Sequence, residues 1–290
     1  MDVGPRQPAR RRRWRFIGLV FPAAAVLAVC FAWPLLTILG QSLSPAAGSG
    51  LTLRHYAKAL TDSYYLGVLW TTVRIALWTT GFCLLLGYPL AYLVTRVVRR
   101  RWLKRLIYVI VIAPLFTSAI VRAFGWMVLL GRQGLVNDLL RRLGLIQEPL
   151  PLLYSEIGVI IGSVYILTPF MVLTVASVLQ NVDPSLEEAA ADLGARPMVS
   201  FWTVVWPLSL PGVIAGSVIV FTLSMSAYVT PSVLGGGKVK VLPMLVFEQF
   251  MVVFQWPFGS ALAVVLLGVT LAAIGFAARW SERGRVIGGT

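Results

Sequence analysis

The feature that most constrains this chain is a series of six long apolar runs. They cover about 16–39, 65–94, 103–130, 157–179, 211–234 and 258–278. A helix needs about 20 apolar residues to cross the hydrocarbon core of a bilayer, and each run reaches that length. Only 12% of the residues are charged, roughly half the share found in soluble domains. The sequence therefore predicts an all-α integral membrane protein with six transmembrane helices.

The first run follows a cluster of arginines, as the apolar part of a signal peptide does. It is about 24 residues long, whereas that part of a signal peptide has about 7–15, and no convincing cleavage site follows it. We predict a basic N-terminus over 1–15 and an uncleaved first span with its outer loop over 16–64. A core transmembrane domain over 65–278 and a basic tail over 279–290 complete the predicted organisation.

The distribution of basic residues explains the net charge of +14. In a chain with six spans, both termini lie on the same side as the second and fourth loops. That side carries 16 lysines and arginines, six of them between Arg96 and Arg105, against seven on the other side. Since basic loops stay inside, both termini are predicted to be cytoplasmic. Membrane topology thus accounts for the charge, and no nucleic-acid partner is expected.

Groups of residues that could support catalysis or hold a metal are not evident. Cys30 and Cys83 lie in predicted spans, where buried thiols behave as small apolar groups, and His55 stands alone. The sequence Gly236-Gly-Lys238 lacks the first glycine of a phosphate-binding loop and the Ser or Thr after its lysine. We predict a chain that is not an enzyme and binds no cofactor itself.

The stretch 183–196, between the fourth and fifth runs, is the polar exception. Ser185 and Glu188 have the spacing of a capping box, and Gly194 suits the end of a helix. This pattern predicts a short helix over about 186–193 with several small side chains, which let another backbone come close. From the residues alone, a solvated loop helix is an equally good reading.

The sequence Glu188-Ala189-Ala190-x-x-x-Gly194, followed by Trp206-Pro207, resembles the EAA loop of bacterial ABC importer permeases. In that family the loop docks on the ATP-hydrolysing subunit, although Trp206 stands where an aliphatic residue is usual. The resemblance implies a cytoplasmic coupling helix within a loop over 180–210. The residues implied to couple to the ATPase are Glu187, Glu188, Ala189, Ala190, Gly194 and Pro207.

Further motifs over about 71–278 resemble the spermidine/putrescine-type branch of these permeases. They include Gly87-Tyr-Pro-Leu-Ala91, Arg122-Ala-Phe-Gly-Trp126, Thr168-Pro-Phe170, Tyr228-Val-Thr-Pro231 and Trp256-Pro-Phe-Gly259. The resemblance implies an ABC type I importer permease fold in a bacterial inner membrane.

The same resemblance implies several partners. These are two copies of an ABC ATPase that bind ATP and Mg²⁺, a second permease that is related but distinct, and an external or periplasmic solute-binding protein. The lipid bilayer surrounds the assembly.

Polar residues in the spans are candidates for the substrate pathway. In a continuous helix, Thr222, Ser226 and Thr230 would share one face, with Tyr228 off it. This face could line a polar cavity, or its hydroxyls could bond back to the preceding turn. Arg122 must find an acceptor or water inside the membrane. It could face the pathway, or it could pair with a carbonyl or with Glu156.

Arg74 lies near the outer end of the second run, where a long side chain is expected to snorkel to the interface. The segment 241–255 is expected to form an outer interfacial helix rather than a re-entrant piece. Gly158 with Gly162, and Gly212 with Gly216, have a spacing typical of close helix contacts. Such contacts could lie in a dimer seam or within the chain.

The resemblance implies a polyamine or a related amine or amino-acid-like compound as the solute. Relatives often have an acidic residue directly before the aromatic residue that Tyr228 matches, whereas this chain has Ala227. A permease for a zwitterion or an anion therefore remains an alternative. An ion-coupled secondary transporter and a membrane scaffold are weaker ones, because no span has a clear internal acid.

Overall fold

A computed structural model describes residues 9–45 and 50–287, with side chains at residue 22 and over 25–45 and 50–279. The described residues are almost entirely helical and contain no strand. Residues 1–8 and 288–290 of the predicted basic termini lie outside the described residues, as do residues 46–49 of the predicted outer loop.

Thirteen α-helices follow one another in the described residues. They are α1 (Ala9–Ser42), α2 (Arg54–Thr61), α3 (Ser63–Tyr92), α4 (Arg101–Ile112), α5 (Ala119–Leu130), α6 (Leu135–Arg142), α7 (Glu156–Asn181), α8 (Ser185–Asp192), α9 (Pro197–Ser200), α10 (Trp206–Met225), α11 (Val229–Leu234), α12 (Leu242–Met251) and α13 (Trp256–Ile287). One π-helical turn, Leu93–Val97, ends α3, and another, Phe201–Val205, precedes α10.

Six described stretches are long and apolar enough to cross a membrane. Four of them are α1, α3, α7 and α13, in agreement with the first, second, fourth and sixth apolar runs. The prediction of an all-α protein with six spans is confirmed. The third and fifth runs, however, do not form continuous helices.

The third run breaks near its middle. A 3-10 turn, Ala113–Phe116, separates α4 from α5. Pro114 lacks a backbone N–H, so it cannot continue the ladder of helical hydrogen bonds. Each of the two helices has 12 residues and rises about 18 Å, so neither crosses a core of about 30 Å alone. The stretch found long and apolar enough here is Ala119–Arg142, which contains α5 and α6, whereas α4 lies before the break.

The fifth run also differs from the predicted helix over 211–234. The helical segment begins earlier, at Pro197, and α10 ends at Met225, with three residues between it and α11. In an uninterrupted helix, the ring of Pro231 would clash with the carbonyl of Ala227. The break moves Pro231 into the first turns of α11, where its missing N–H is tolerated.

The centre of the fold consists of α3, α7 and α10, which pack against one another. Met171, Val172 and Val175 of α7 are fully buried between the other two helices. Half of the apolar window of α7 is buried, against 6% of that of α1. The apolar run of α7 is thus explained by burial in protein, and that of α1 by exposure to lipid.

The paired glycines lie at these helix crossings. A Cβ atom on Gly212 would lie 2.9 Å from Val178 Cβ, and one on Gly216 would lie 2.7 Å from Met171 Sδ. Gly162 similarly faces Leu234 of α11. Helix backbones approach closely here because no side chain intervenes. Gly162, Gly212 and Gly216 thus serve packing within the chain, whereas Gly158 lies against the carbonyl of Leu152 before α7.

The predicted outer helix corresponds to α12, which is held against α3 and α13. Leu242 and Leu245 are buried there with Phe258, and the N–H of Leu242 donates to Thr72 Oγ1 at 2.8 Å.

A second outer segment is organised by Asn137 of α6. This fully buried amide bonds to the carbonyl of Gly131 and to both backbone groups of Leu150.

Candidate functional site

The short helix α8 begins with a cap that differs from the predicted capping box. No side-chain cap bond is made by Ser185, and instead the N–H of Ser185 donates to Asp183 Oδ1 at 2.9 Å. Asp183 precedes Pro184, which takes the helical conformation that starts the turn. The backbone N–H of Ser185, followed by its hydroxyl, holds the pKa of Asp183 below its ordinary value. A carboxylate at this end also matches the positive end of the helix dipole.

The end of α8 is a Schellman motif built around Gly194. Gly194 has φ +83°, the left-handed conformation that side chains disfavour. Its N–H donates to the carbonyl of Ala191 at 2.9 Å, and the N–H of Ala195 donates to that of Ala190 at 3.0 Å. The motif turns the chain sharply away from α8.

The two neighbouring glutamates of α8 point in different directions. Glu188 is exposed, as is Ala189, whereas Glu187 is half-buried and faces the end of α3. Glu187 Oε1 lies 3.0 Å from Arg96 Nε in an ion pair that lacks hydrogen-bond alignment. Arg96 Nη2 also donates to the carbonyl of Val182 at 2.8 Å. The sequence did not single out Arg96, because it is one of six basic residues on the same loop.

An exposed apolar surface surrounds the free side of α8. Its largest members are Leu193, which is 90% exposed, together with Met198 and Trp202. Pro207 is also exposed, at the first positions of α10. Apolar side chains grouped at an exposed surface are typical of a protein-binding site.

An aromatic cluster supports this surface from behind. Trp206, the residue that departs from the family pattern, packs on Tyr88 and Trp202 at ring distances of 5.1 and 5.5 Å. The Tyr88 hydroxyl and Ser209 Oγ are hydrogen-bonded at 2.9 Å. The indole of Trp206 thus fills space between α3 and α10.

Within the membrane region, a cavity of about 310 Å³ lies where the two broken spans meet the middle of α7. Both interruptions contribute, with Leu115 and Arg122 from the third span and Ala227 to Thr230 from the fifth. From α7 come Ser163, Leu167 and Phe170. Broken helices at mid-membrane depth are a common way to build a solute site in a transporter.

The sequence suggested a carbonyl or Glu156 as a partner for Arg122. The structure pairs Arg122 with a carbonyl. Its Nη1 donates to the carbonyl of Pro114, which also accepts a hydrogen bond from Thr117 Oγ1 at 2.8 Å. The same atom lies 3.4 Å from Thr117 Oγ1. The guanidinium therefore stabilises the interruption in the third span while also lining the cavity.

The predicted hydroxyl face is not formed, because the helix ends before Tyr228. Thr222 and Ser226 donate to the carbonyls of Val218 and Leu223, so their hydroxyls bond back to their own helix. Thr230 and Tyr228 instead reach the cavity from beyond the break. The cavity also includes Ser163, which a pattern search missed because it is a single hydroxyl in an apolar helix.

Arg74 forms an ion pair with Glu156, the first residue of α7, a partner that the sequence did not predict for it. Both side chains remain more than one-third exposed.

At the outer ends of the helices, Lys240 lies 3.5 Å from Glu248. Burial lowers the pKa of Lys240, but its contacts with Tyr64 and Glu248 outweigh burial and raise the pKa above its ordinary value.

The chain is similar to a known family of membrane transport proteins. Residues 84–285 match the family model described as the binding-protein-dependent transport system inner membrane component. The spermidine/putrescine transport system permease protein PotB of Haemophilus influenzae is 34% identical over 252 residues, covering 83% of this chain and 87% of that protein. PotB of Escherichia coli K12 is 35% identical over 215 residues, covering 74% and 77%.

A solved structure shares the fold at low sequence identity. It is a chain of a bacterial alginate ABC transporter, in complex with an alginate pentasaccharide-bound periplasmic protein. The TM-score is 0.75 at 17% identity, and the match covers 94% of this chain and 96% of that one. With the family match over most of its length, this chain belongs to the binding-protein-dependent transport system inner membrane components, the permease subunits of ABC importers.

Proposed function

We propose that this permease imports a small amine-bearing solute through the cavity between α5, α7 and the α10–α11 break. The observation that carries the proposal is the convergence of both broken spans on one mid-membrane space. Interrupted helices expose backbone polar groups that a solute can use in place of water. The residues proposed to contact solute there are Arg122, Tyr228 and Thr230, whereas Thr222 and Ser226 bond to their own helix.

The proposed solute class is the polyamines and related amines, and two observations support it. Both PotB relatives are named as permease proteins of spermidine/putrescine transport systems. The cavity also has two aromatic side chains, Phe170 and Tyr228, whose ring faces can attract an ammonium group.

A zwitterionic or anionic solute is the second candidate, and the charge of the cavity favours it. Arg122 is the one charged residue among those that line the cavity, and none of the lining residues is a carboxylate. A guanidinium offers five donors, which suit a carboxylate or phosphonate group.

We further propose that α8 docks on an ABC ATPase through Glu188, Ala189, Ala190 and Gly194, with Pro207 at the margin. The exposed apolar residues beside α8 support this role. ATP and Mg²⁺ would then bind to two ATPase copies, and a related second permease would complete the pathway. An external solute-binding protein would deliver the solute, as the periplasmic partner of the alginate transporter suggests.

The test is solute-dependent ATP hydrolysis by the assembled transporter in nanodiscs. The permease is co-purified with its ATPase, second permease and binding protein, and spermidine, putrescine, zwitterionic amines and small anions are compared. Stimulation by polyamines supports the first candidate, and stimulation by zwitterions or anions alone supports the second. If this chain moved solute on an ion gradient without an ATPase, the proposal would be wrong.

A further inference from the structure

One guanidinium joins three elements at the end of the molecule that carries α8. Arg96 belongs to the π-helical turn that ends α3, and its side chain is 12% exposed. Its Nε lies 3.0 Å from Glu187 of α8, and its Nη2 donates to the carbonyl of Val182, the residue that caps α7. The ends of α3 and α7 are thereby tied to the first turn of α8.

This tie matters because α8 has little other anchorage in the described chain. No residue of α8 is buried. Its main packing partners are α9 and the π-helical turn Phe201–Val205, both of which follow it closely in sequence. Those contacts can push on α10, but they do not hold α8 to α3 or α7.

The ion pair between Arg96 and Glu187 can transmit a pull on α8 as well as a push. An ion pair between largely covered side chains is screened less than an exposed pair, and it resists separation. The two π-helical turns lie on either side of α8, one at the end of α3 and one before α10. Short π segments are irregular and occur often at functional positions in helices.

We propose that Arg96 is a positioning residue that transmits movement of α8 to α3 and α7 through Glu187 and Val182. This inference rests on the proposed function, in which α8 follows the ATPase. Because α7 carries Ser163, Leu167 and Phe170 of the cavity, displacement of its end changes the space available to solute. Glu187 then acts inside the permease, and Glu188 faces the ATPase.

The experiment measures solute molecules transported per ATP hydrolysed, in proteoliposomes containing the full transporter. The variants are Arg96→Gln, Glu187→Gln and the double variant, with Arg99→Gln and Glu148→Gln as controls. Both control residues are exposed, and neither forms an ion pair in the described chain. We expect each single variant to lower the ratio about tenfold while ATP hydrolysis continues, and the controls to keep the native ratio.

The double variant distinguishes a pair from two separate roles. If Arg96 and Glu187 act together, the double variant is no worse than the worse single variant. Losses that multiply, or single variants with the native ratio, overturn the proposal. Loss of ATPase binding by Glu187→Gln would also overturn it, since Glu187 would then face the partner.

Failed assembly of a variant and failure of the proposed function can both be distinguished from failure of the Arg96–Glu187 proposal. If Arg96→Gln prevents assembly, Glu187→Gln still tests the pair, because it leaves the bond between Arg96 and the Val182 carbonyl in place. Failure of the proposed function has a separate result, since the native protein itself would then show no solute-stimulated ATP hydrolysis.

Discussion

At the scale of single residues, two polar side chains and one glycine of this permease shape ends and interruptions of helices. Asp183 caps the start of α8, Gly194 ends it, and Arg122 bonds to a carbonyl that a helix break exposes. Backbone groups without partners are costly in a membrane, so an interruption such as the one at Pro114 needs a donor such as Arg122. Functional and structural roles therefore fall on the same side chains.

Gly194 allows a direct test of the turn after α8. In Gly194→Val, a β-branched residue must adopt φ +83°, at a cost of about 1–2 kcal/mol, although no atom lies within 4 Å of the added Cβ. We expect this variant to lose solute-dependent ATP hydrolysis while its amount in the membrane stays normal. Gly194→Asn is the control, because asparagine accepts the left-handed conformation. Equal activity of the two variants would contradict a conformational role.

Arg122 is predicted to support transport through the break in the third span. Arg122→Met removes the charged donor to the Pro114 carbonyl, a loss of about 1.5–3 kcal/mol, although that carbonyl keeps its bond from Thr117 Oγ1. We expect at least a tenfold drop in solute uptake by proteoliposomes, with partial recovery in Arg122→Lys. Arg132→Met, at an exposed outer position, is the matched control. Normal uptake by Arg122→Met would show that transport does not need the contact between the guanidinium and the Pro114 carbonyl.

At the scale of helices, close crossings in α3, α7 and α10 hold the core together. Glycine permits the contact between α10 and α7, and Arg74 with Glu156 adds an ion pair between α3 and α7. Apolar side chains gain little from leaving lipid for protein, so helix association in membranes depends strongly on close packing. The glycine positions are therefore where a small change in volume has the largest effect.

Gly212→Ala tests this packing. Its Cβ would lie 2.9 Å from Val178 Cβ and 3.3 Å from Val175 Cα, so the helices must separate slightly. We expect a loss of about 1–3 kcal/mol in stability, measured by thermal or denaturant unfolding in detergent. Gly268→Ala on α13 has no atom within 4 Å of the added Cβ and should match the native protein. Similar destabilisation in both variants would exclude a packing effect.

At the scale of the whole molecule, the chain is a non-catalytic membrane subunit, and ATP is hydrolysed by a separate chain. The path from α8 to the cavity runs along α7 from its C-terminal end to its middle. Coupling over such a distance requires elements that move as units. The helical core and the proposed tie at Arg96 meet that requirement.

The orientation of the chain is the remaining prediction at this scale. We expect both termini in the cytoplasm, because 16 of the basic residues lie on their side of the membrane. A C-terminal green fluorescent protein fusion should fluoresce, and a C-terminal alkaline phosphatase fusion should be inactive. A phosphatase fusion placed in the segment 143–150 should be active as the positive control. The reverse pattern would place α8 on the wrong side for an ATPase.

The sequence alone determined the membrane class, the number of spans and the position of the short polar helix. These properties depend on hydrophobicity and on local turn chemistry, which are read directly from neighbouring residues. The resemblance of the EAA loop and of the other motifs to ABC importer permeases was confirmed by the family match.

The tertiary structure alone decided which polar residues meet. The partners of Arg96, Arg74 and Arg122 come from distant segments or from a helix break, so spacing along the chain does not reveal them. The cavity likewise exists because two interrupted spans meet α7. Apolar runs look the same whether a helix continues or breaks within them. Their interruptions depend on which neighbouring groups replace the lost backbone hydrogen bonds, and only the packed molecule supplies those groups.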